Sequence, residues 1–356
     1  MNALVADKVM NNSEMLRIRQ LFAQDMTRWD AFVEQQPNAT FFHRAGWKTV
    51  LEQAFGHTAY YLFAESVNGE ILGILPLAHV KSLLFGNMLI STPFCVYGGS
   101  VAVSEEVIQQ LDAAACSLAE ELQVDCLELR QRSLCHTDWP HKNLYVTFRK
   151  LIDADPEKNL LAIPRKQRAM VRKGIQAGLM SHIENEVDSV HQVYSESVRN
   201  LGTPVFSRHY FRVLKDVFGT DCEALVVRHG HAVVAGVISF YFRDEVLPYY
   251  GGGTAAAREL KANDFMYWEV MRRAGERGYR LFDFGRSKQG TGSFDFKRNW
   301  GFEPTPMRYE YHLVNAKQVP DVNPLNPKYR LFIAAWKRLP LPVSQLIGPL
   351  LSRNLG

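Results

Sequence analysis

The sequence has few cysteines, and none of them has the spacing of a metal or disulfide site. Five cysteines occur among 356 residues, an odd number, and no Cys-x-x-Cys pair is present. This argues against both a disulfide framework and a zinc site as the basis of the fold. Unpaired thiols are typical of a reducing compartment.

The hydrophobicity of the sequence predicts neither a secretory leader nor a membrane-spanning helix. The first twenty residues contain no continuous apolar run before their charges, so they do not resemble a signal peptide. The stretch from Ser82 to Ser104 has no charged residue and is long enough to cross a bilayer, but Gly86, Pro93 and Gly98 interrupt it. We therefore predict two buried strands with a turn there, and a cytoplasmic protein.

Charge is low overall and uneven. The formal net charge is +4, which argues against a general nucleic-acid binder. Residues 317–356 hold six basic side chains and one acid, so the basic excess belongs to the C-terminal tail. Pro320, Pro324 and Pro327 indicate a linker, followed by a helix from Tyr329 to about Arg338. This apolar helix with basic flanks predicts either peripheral contact with an anionic membrane surface or packing against the domains.

An internal repeat organises the rest of the chain. In the first half, apolar patterns predict strands at Ala59–Val67 and Ile71–Leu77, then two further strands that end at Tyr97-Gly98-Gly99. A helix from about Ser104 to Leu122 and a strand at Asp125–Arg130 complete this half.

The second half has the same order of patterns. Strands are predicted at Cys222–Arg228, Val233–Ser239 and Val246–Tyr250, the last one running into three glycines. A helix over Asn263–Arg277 and a strand over Leu281–Phe284 follow. Meanders followed by a helix and a further strand predict an α+β fold with mixed, mostly antiparallel sheets flanked by helices. We expect one domain over residues 1–150, a second over 151–316, and a helical tail over 317–356.

The segment after the last predicted strand carries the most distinctive motif, Phe296-Lys297-x-x-Trp300-Gly301-Phe302. With the tandem order and the glycine-rich strand end, it resembles the Fem-type transferases, over about Trp29 to Leu313. The resemblance is closest to the FemAB-related proteins associated with PEP-CTERM and exopolysaccharide systems. It implies two GNAT-like domains and transfer of an amino acid from aminoacyl-tRNA to a peptidoglycan precursor, in cell-envelope, peptidoglycan or exopolysaccharide assembly.

The same resemblance implies a role for Lys297. The lysine of the Phe-Lys pair lies at the active site of the family and stabilises negative charge. This fits the oxyanion of an acyl transfer, which a fixed cation stabilises most in a water-poor cleft. Residue type alone favours the alternative, a solvated lysine beside core aromatic side chains. We assign Lys297 to catalysis and its neighbour Phe296 to substrate binding.

Other polar side chains follow the same strand. Arg286 is suited to bidentate binding of a phosphate or a carboxylate. Asp283 and Asp295 are candidates for the general base of an amine acceptor. The alternative is a structural ion pair, such as one between Asp283 and Arg286.

Tyr249 and Tyr250 precede the three glycines of the second half and are assigned to substrate binding. Glycine lets a ligand or a backbone come close, although a bulge or a tight strand end explains the same pattern. A further candidate is the basic helix opened by Pro164. Its Arg165, Arg168 and Arg172 share one face, which suits the phosphates of a nucleotide-linked acceptor, a tRNA or a lipid diphosphate. The alternative is a solvated helix face.

The donor is less well defined than the lysine. The usual GNAT pyrophosphate loop, Gln/Arg-x-x-Gly-x-Gly/Ala, is replaced by Arg258 to Asn263, which has no glycine to bring backbone N–H groups to a phosphate. The coiled-coil arm of some Fem proteins has no counterpart. We expect no metal and no tightly bound cofactor. The donor is a co-substrate, either aminoacyl-tRNA, acyl-CoA or acyl carrier protein.

Three functions stay open at this point. The first is acyl or aminoacyl transfer to a small-molecule or lipid-linked glycan or peptide acceptor. The second is CoA-dependent N-acetylation, and the third is a non-catalytic module that binds such a precursor. Nucleophilic serine, P-loop and His-Glu-x-x-His motifs are missing, so covalent serine catalysis and metal-dependent hydrolysis have no support.

Overall fold

The computed structural model describes residues 16–82, 85–132, 134–319 and 330–355. Most of the segment tested for a leader and the three linker prolines lie outside these residues. The chain alternates between strands and helices in both halves. This confirms the predicted α+β class, with two mixed sheets flanked by helices.

The first half contains these elements, in chain order: β1 (Arg17–Gln20), α1 (Met26–Gln35), α2 (Gly46–Phe55), β2 (Thr58–Glu65), β3 (Ile71–Ser82), β4 (Gly86–Ser91), β5 (Val101–Ala102), α3 (Glu105–Glu121), β6 (Cys126–Gln131), β7 (His141–Lys142) and β8 (Tyr145–Leu151). The predicted helix here is confirmed. The Ser104 hydroxyl caps α3 by accepting a hydrogen bond from the Val107 N–H, and Glu105 and Glu106 occupy the first turn.

The second half continues with α4 (Pro156–Ala162), α5 (Arg165–Gln176), β9 (Met180–Glu184), α6 (Asp188–Leu201), α7 (Arg208–Phe218), β10 (Cys222–His229), β11 (Ala232–Phe242), β12 (Glu245–Gly253), α8 (Ala255–Leu260), α9 (Ala262–Glu276), β13 (Leu281–Lys288), α10 (Gly292–Asn299), β14 (Pro304–Pro306), β15 (Arg308–Leu313), α11 (Arg330–Trp336) and α12 (Leu341–Ser352).

Each sheet includes a strand from the other half of the chain. The first sheet has the order β1-β2-β3-β4-β6-β15-β7, with β5 beside β3. The second has the order β14-β8-β13-β12-β11-β10-β9. Thus β15 pairs with β6, and β8 pairs with β13. Sheet membership therefore does not follow the expected division at residue 150, which cuts through β8. The domain division stays a prediction.

Strand direction supports the predicted mixture. The β4–β6 pair and the β12–β13 pair are parallel, and the other pairs among the described strands are antiparallel. Each sheet therefore has one parallel pair among the described strands, at the point where a helix connects two strands.

The prediction of two further strands ending at Tyr97-Gly98-Gly99 is wrong. One strand, β4, is present, and residues 92–100 form an irregular segment. The backbone takes positive φ angles at Thr92 and Phe94, outside the extended region that regular strand residues occupy. Side chains from elsewhere bind its carbonyls: Arg130 donates to Cys95 O at 2.7 Å, and Tyr309 to Val96 O at 2.8 Å. We call residues 92–100 the bridging segment, because it joins the two halves.

The C-terminal helix packs against both halves. The predicted helix is present as α11, and a second helix, α12, follows it. Trp336 is buried, the Ser352 hydroxyl donates to Val205 O at 3.0 Å, and Arg353 donates to Phe55 O at 2.9 Å. This agrees with the packing alternative of the sequence analysis. Within the described ranges, every helix is too short or too polar to cross a lipid bilayer.

Candidate active site

The candidate site lies where two parallel strands of the second sheet stop pairing. β12 and β13 pair only at Glu245 with Leu281 and at Val246 with Phe282, although both strands continue for several residues. Both also carry an irregularity on their outer ladders. Tyr249 is left unpaired against β11, and Phe284 and Gly285 are left unpaired against β8. The strands separate at these bulges, and four predicted site residues lie on the strands or bind them at this opening: Tyr249, Asp283, Arg286 and Lys297.

Helix α10 brings Lys297 to the bulge of β13. The Thr291 hydroxyl caps this helix by accepting a bond from Phe294 N. The Lys297 Nζ donates to Gly285 O at 3.1 Å and to Arg286 O at 2.9 Å. Gly285 has a φ of +66°, a conformation that favours glycine, and this helps turn consecutive carbonyls toward the lysine. The ammonium is thus held in one place by backbone acceptors.

The environment of Lys297 changes its acidity. Burial lowers the pKa of Lys297 to about 7, the Asp283 charge opposes this shift, and the Arg286 charge adds to it. The ammonium also lies over the rings of Phe148 and Phe284, at 5.7 and 6.0 Å from their centroids. The side chain is half-buried rather than solvated. Two donated bonds leave a third N–H of the ammonium for another acceptor.

Asp283 is fully buried, and its oxygens are bonded to the protein. It accepts hydrogen bonds from the Tyr97 hydroxyl at 3.0 Å and from Gly285 N at 2.7 Å. It also forms an ion pair with Arg149 Nε at 3.2 Å, and Arg149 pairs with Glu245 as well. The alternative of a structural ion pair therefore holds for Asp283, but its partner is Arg149 on the neighbouring strand and not Arg286. The role of Asp283 as a base stays a prediction.

Arg286 has tyrosines around it instead of a carboxylate. Its Nη1 donates to the Tyr309 hydroxyl at 2.8 Å, and its guanidinium lies 4.7 Å from the centroid of the Tyr145 ring. Within the described ranges no acidic side chain forms an ion pair with it. An arginine in a half-buried position without an acidic partner retains donors for an anionic ligand. This arrangement keeps Arg286 as a substrate-binding candidate.

The two tyrosines of β12 face different surroundings. The Tyr249 hydroxyl donates to Phe94 O at 2.9 Å, in the bridging segment. The Tyr250 hydroxyl lies 2.7 Å from that of Tyr210, inside the aromatic core. Burial raises the pKa of both tyrosines well above the usual value. Tyr249 borders the site, whereas the geometry gives no support to Tyr250 as a substrate contact.

The glycines after these tyrosines leave space for neighbouring helices and not for a ligand. A Cβ on Gly252 would lie 2.7 Å from Ser197 Cβ, and one on Gly253 would lie 2.6 Å from Ala257 Cβ. These contacts come from α6 and α8, which pack directly on the strand. The glycines therefore make room for packed helices, whereas the sequence analysis offered a ligand, a bulge or a tight strand end.

Asp295 and Phe296, the other two predicted site residues of α10, have surroundings different from those of Lys297. Asp295 is exposed and pairs with Arg298 at 3.4 Å, two positions before Lys297 and so on a different side of the helix. Phe296 packs against Tyr267 and Trp300, with ring centroids 5.6 and 6.0 Å apart. No contact joins Asp295 to Lys297 among the described residues. Both assignments stay predictions, and the geometry favours neither.

The basic helix presents the predicted face. Arg165, Arg168 and Arg172 line a surface depression of about 340 Å³ together with Lys173. In the described part of the chain these four side chains have no acidic partner, and Arg168 donates to Leu161 O at 3.0 Å. We call these four residues the basic face. An unpaired cluster of this kind attracts anions.

Asp264 links the basic helix to the lysine segment. Its Oδ1 accepts a bond from Gln167 Nε2 at 2.6 Å and one from Trp300 Nε1 at 3.0 Å. Burial raises the pKa of Asp264, while the two hydrogen bonds oppose that shift. Gln167 belongs to α5, and Trp300 follows α10. One buried carboxylate thus orients both elements that carry site candidates.

Sequence reasoning missed the side chains that other strands bring to the site. Arg149 and Tyr97 hold Asp283, and Tyr309 holds Arg286. The two-residue period of a strand places Arg149 of β8 on one face with Tyr145 and Thr147, and this could have been read from the sequence. Nothing local in the sequence indicates Tyr309, which reaches the site because β15 crosses into the first sheet. Within the described ranges, no group of three or more potential ligands is placed to hold a metal ion.

Comparison with known proteins agrees with this architecture. Residues 165–298 match the model of the acetyltransferase (GNAT) domain, a range that begins on the basic helix and ends just after Lys297. The crystal structure of FemX is similar with a TM-score of 0.63 at 15% identity, covering 89% of this chain and 100% of that one. No curated protein matches the sequence.

Two further solved structures have related folds. A tandem GNAT protein from the clavulanic acid biosynthesis pathway has a TM-score of 0.54 at 14% identity, covering 85% of this chain and 100% of that one. The C-terminal domain of a putative lysylphosphatidylglycerol synthetase from Agrobacterium fabrum has a TM-score of 0.53 at 15% identity, covering 81% and 92%. At these identities the likeness concerns the fold. The chain has a tandem GNAT-like fold, as predicted.

Proposed function

We propose that this protein transfers an acyl or aminoacyl group to an amine acceptor, with Lys297 as the cation that stabilises the reacting oxygen. The observation that carries the proposal is the position of Lys297. Its ammonium is fixed by Gly285 O and Arg286 O at the opening between β12 and β13, and a third N–H is left over. The match of residues 165–298 to a GNAT domain supports the reaction class.

The chemistry requires little else from the protein. The acceptor amine attacks the acyl carbonyl carbon, and a tetrahedral oxyanion forms, to which Lys297 donates a hydrogen bond. The bond from carbon to the leaving oxygen or sulfur then breaks. The proton lost by the amine nitrogen goes to that leaving atom. Asp283 is placed to position the bulge through Gly285 N rather than to accept this proton, because its oxygens are already bonded.

The substrates follow from the cations around the site. Arg286 offers donors for a carboxylate or a phosphate, and the basic face offers a second, more exposed anion site. We propose aminoacyl-tRNA as the donor and a nucleotide- or lipid-linked peptide or glycan as the acceptor, in peptidoglycan, exopolysaccharide or related envelope assembly. FemX and the lysylphosphatidylglycerol synthetase domain share the fold and agree with this choice. A link to PEP-CTERM systems belongs to the same proposal.

The second candidate is CoA-dependent N-acetylation, favoured by the domain match. The connection between β12 and α9, where the pyrophosphate loop is expected, argues against this candidate. That connection contains the helix α8 and Lys261 with a φ of +59°, and residues 258–263 contain no glycine. A phosphate-binding loop of the usual kind is therefore missing from this position. Saturable binding of acetyl-CoA in calorimetry would favour this candidate over the first.

The test is a mass-spectrometric screen of purified protein. Charged tRNAs, acyl-CoAs and acylated carrier protein serve as donors, with muropeptide and glycan precursors as acceptors. We expect a covalent acceptor product from one donor class with the wild type, and a loss of at least about a hundredfold in turnover with Lys297→Ala. Lys81→Ala, at an exposed lysine of β3, is the matched control and should retain turnover. Full activity in Lys297→Ala would refute the assignment.

A further inference from the structure

Helix α12 has its large apolar side chains on the outside. Ser344, Gly348 and Ser352 are the buried residues of the helix, at a spacing of four. Leu346 and Leu350 are 75% and 64% exposed, and Val343 is 39% exposed. We call Val343, Leu346 and Leu350 the apolar tail face. A helix on a protein surface normally buries such a face, so this one requires a partner outside the described fold.

The small residues explain why the helix cannot turn its leucines inward. A Cβ on Gly348 would lie 2.9 Å from the backbone nitrogen of Val205, so this turn of the helix approaches the chain closely. The Ser352 hydroxyl donates to the carbonyl of the same Val205 at 3.0 Å. Leucine at these positions would not fit. The orientation of α12 is therefore built into its sequence.

The end of the helix is held firmly. His57 Nε2 donates to Arg353 O at 2.7 Å, and Arg353 donates to Phe55 O at 2.9 Å, both in the first half of the chain. At the other end, Arg199 donates to Leu339 O at 3.0 Å. The apolar tail face is thus presented by a docked helix and not by a loose end of the chain.

Within residues 330–355 the charged side chains are all basic. Lys337 and Arg338 precede α12 and are exposed, and residues 330–355 contain no acidic residue. The preceding helix adds exposed apolar side chains, with Leu331 83% and Phe332 41% exposed. Apolar side chains flanked by basic ones, with no acid, complement a surface that is apolar inside and negatively charged outside.

We propose that the apolar tail face rests in the interfacial layer of an anionic lipid bilayer, with α12 parallel to the membrane plane. A helix of twelve residues is about 18 Å long, too short to cross a hydrocarbon core of about 30 Å. It therefore lies on the membrane and does not span it. This proposal is independent of the proposed acyl transfer, because binding to vesicles requires no turnover.

A second copy of the chain fits this face less well. The exposed strip of α12 is about 18 Å long and about 10 Å wide, far below the roughly 800 Å² per partner of a stable interface. In a symmetric dimer through this strip, the basic residues at its ends would also approach basic residues of the partner. Lipid phosphates, in contrast, neutralise them.

The test is co-sedimentation of the full chain with vesicles of phosphatidylcholine containing 30% phosphatidylglycerol, at physiological salt, against vesicles of pure phosphatidylcholine. We expect binding to the anionic vesicles. Leu346→Ser combined with Leu350→Ser should lower the partition coefficient by at least about tenfold. Leu151→Ser combined with Leu161→Ser changes leucines of 76% and 59% exposure outside the tail, and should bind as the wild type does.

A second pair of variants tests the charge. Lys337→Gln with Arg338→Gln should weaken binding to anionic vesicles by about tenfold and leave binding to neutral vesicles unchanged. The proposal fails if the wild type does not sediment with anionic vesicles, or if the tail-leucine variant binds as well as the wild type. It also fails if vesicles are not bound and light scattering shows a dimer that the tail-leucine variant converts to monomer, since a second copy then covers the face.

Discussion

The indole of Trp300 donates a hydrogen bond at 3.0 Å to the buried carboxylate of Asp264. Trp300 closes the helix that carries Lys297, and Asp264 lies in the first turn of α9. The same carboxylate oxygen accepts a bond from Gln167 of the basic helix. The position of Lys297 thus depends on a carboxylate that no ligand needs to touch, and this gives Asp264 a positioning role.

Asp264→Ala should destabilise the protein and impair turnover. It leaves the N–H groups of Trp300 and Gln167 without an acceptor in a buried place, which should lower the free energy of unfolding by about 2 to 4 kcal/mol. Asp264→Asn keeps an oxygen acceptor and should restore most of this stability. Urea unfolding and kcat measured at 20 °C check both effects.

The control for this pair is Glu259→Ala, which removes an exposed acid of the neighbouring helix α8. It should change the free energy of unfolding by about 0.5 kcal/mol or less. Equal loss of stability in Asp264→Asn and Asp264→Ala would show that the charge, and not the hydrogen-bond acceptor, holds Trp300.

Several helices of the fold were predictable from local sequence patterns. The helix at Glu105–Glu121 followed from apolar spacing and the Ser104 cap, and the basic face followed from three arginines at helical spacing. These features depend on neighbours within one or two turns. Short stretches of sequence are therefore enough to predict them.

The surroundings of the lysine were not predictable in this way. The bridging segment looks like a strand because its sequence is apolar, but its carbonyls accept hydrogen bonds from the hydroxyls of Tyr249 and Tyr309, which are distant in the sequence. Asp283 looked like a partner of Arg286, three residues away, but a strand pairs it with Arg149. These contacts depend on β-bulges and on strands that join the sheet of the other half. Neither feature produces a periodic pattern in a short stretch of sequence.

The pH dependence of turnover distinguishes two roles of Lys297. Because the folded protein holds its pKa near 7, the side chain loses its proton as the pH rises through that value. If the ammonium stabilises the oxyanion, kcat/KM should fall above about pH 7. If the neutral amine were the general base, kcat/KM would rise through the same range.

Lys297→Arg provides the check on this profile. Arginine keeps its charge throughout this pH range, so any activity that remains in the variant should lack the decline near pH 7. A decline that persists unchanged in Lys297→Arg would mean that another group titrates. A rise through pH 7 in the wild type would contradict the proposed role of the cation.

Arg286→Lys should weaken binding of the anionic substrate. Lysine keeps the charge but loses the planar fork and the packing on Tyr145, so we expect KM to rise at least about tenfold. The fold should be retained, because Arg286 forms no ion pair with the described acidic residues. Initial-rate kinetics with the donor and the acceptor varied in turn identify which substrate it holds. An unchanged KM for both would exclude Arg286 from substrate binding.

The basic face should act on binding and not on the chemical step. Arg165→Gln, Arg168→Gln and Arg172→Gln together should raise KM for the phosphate-bearing substrate about tenfold or more and leave kcat near the wild-type value. Each lost contact to a phosphate also reduces the dependence of affinity on salt concentration by about one ion. Titrations at 50 and 200 mM salt therefore report how many of the three arginines reach the ligand.

Lys166→Gln changes an exposed basic residue of the same helix outside the depression, and should keep the wild-type salt dependence. If the triple variant and the wild type show the same KM and the same salt dependence, the face is only a solvated side of the helix.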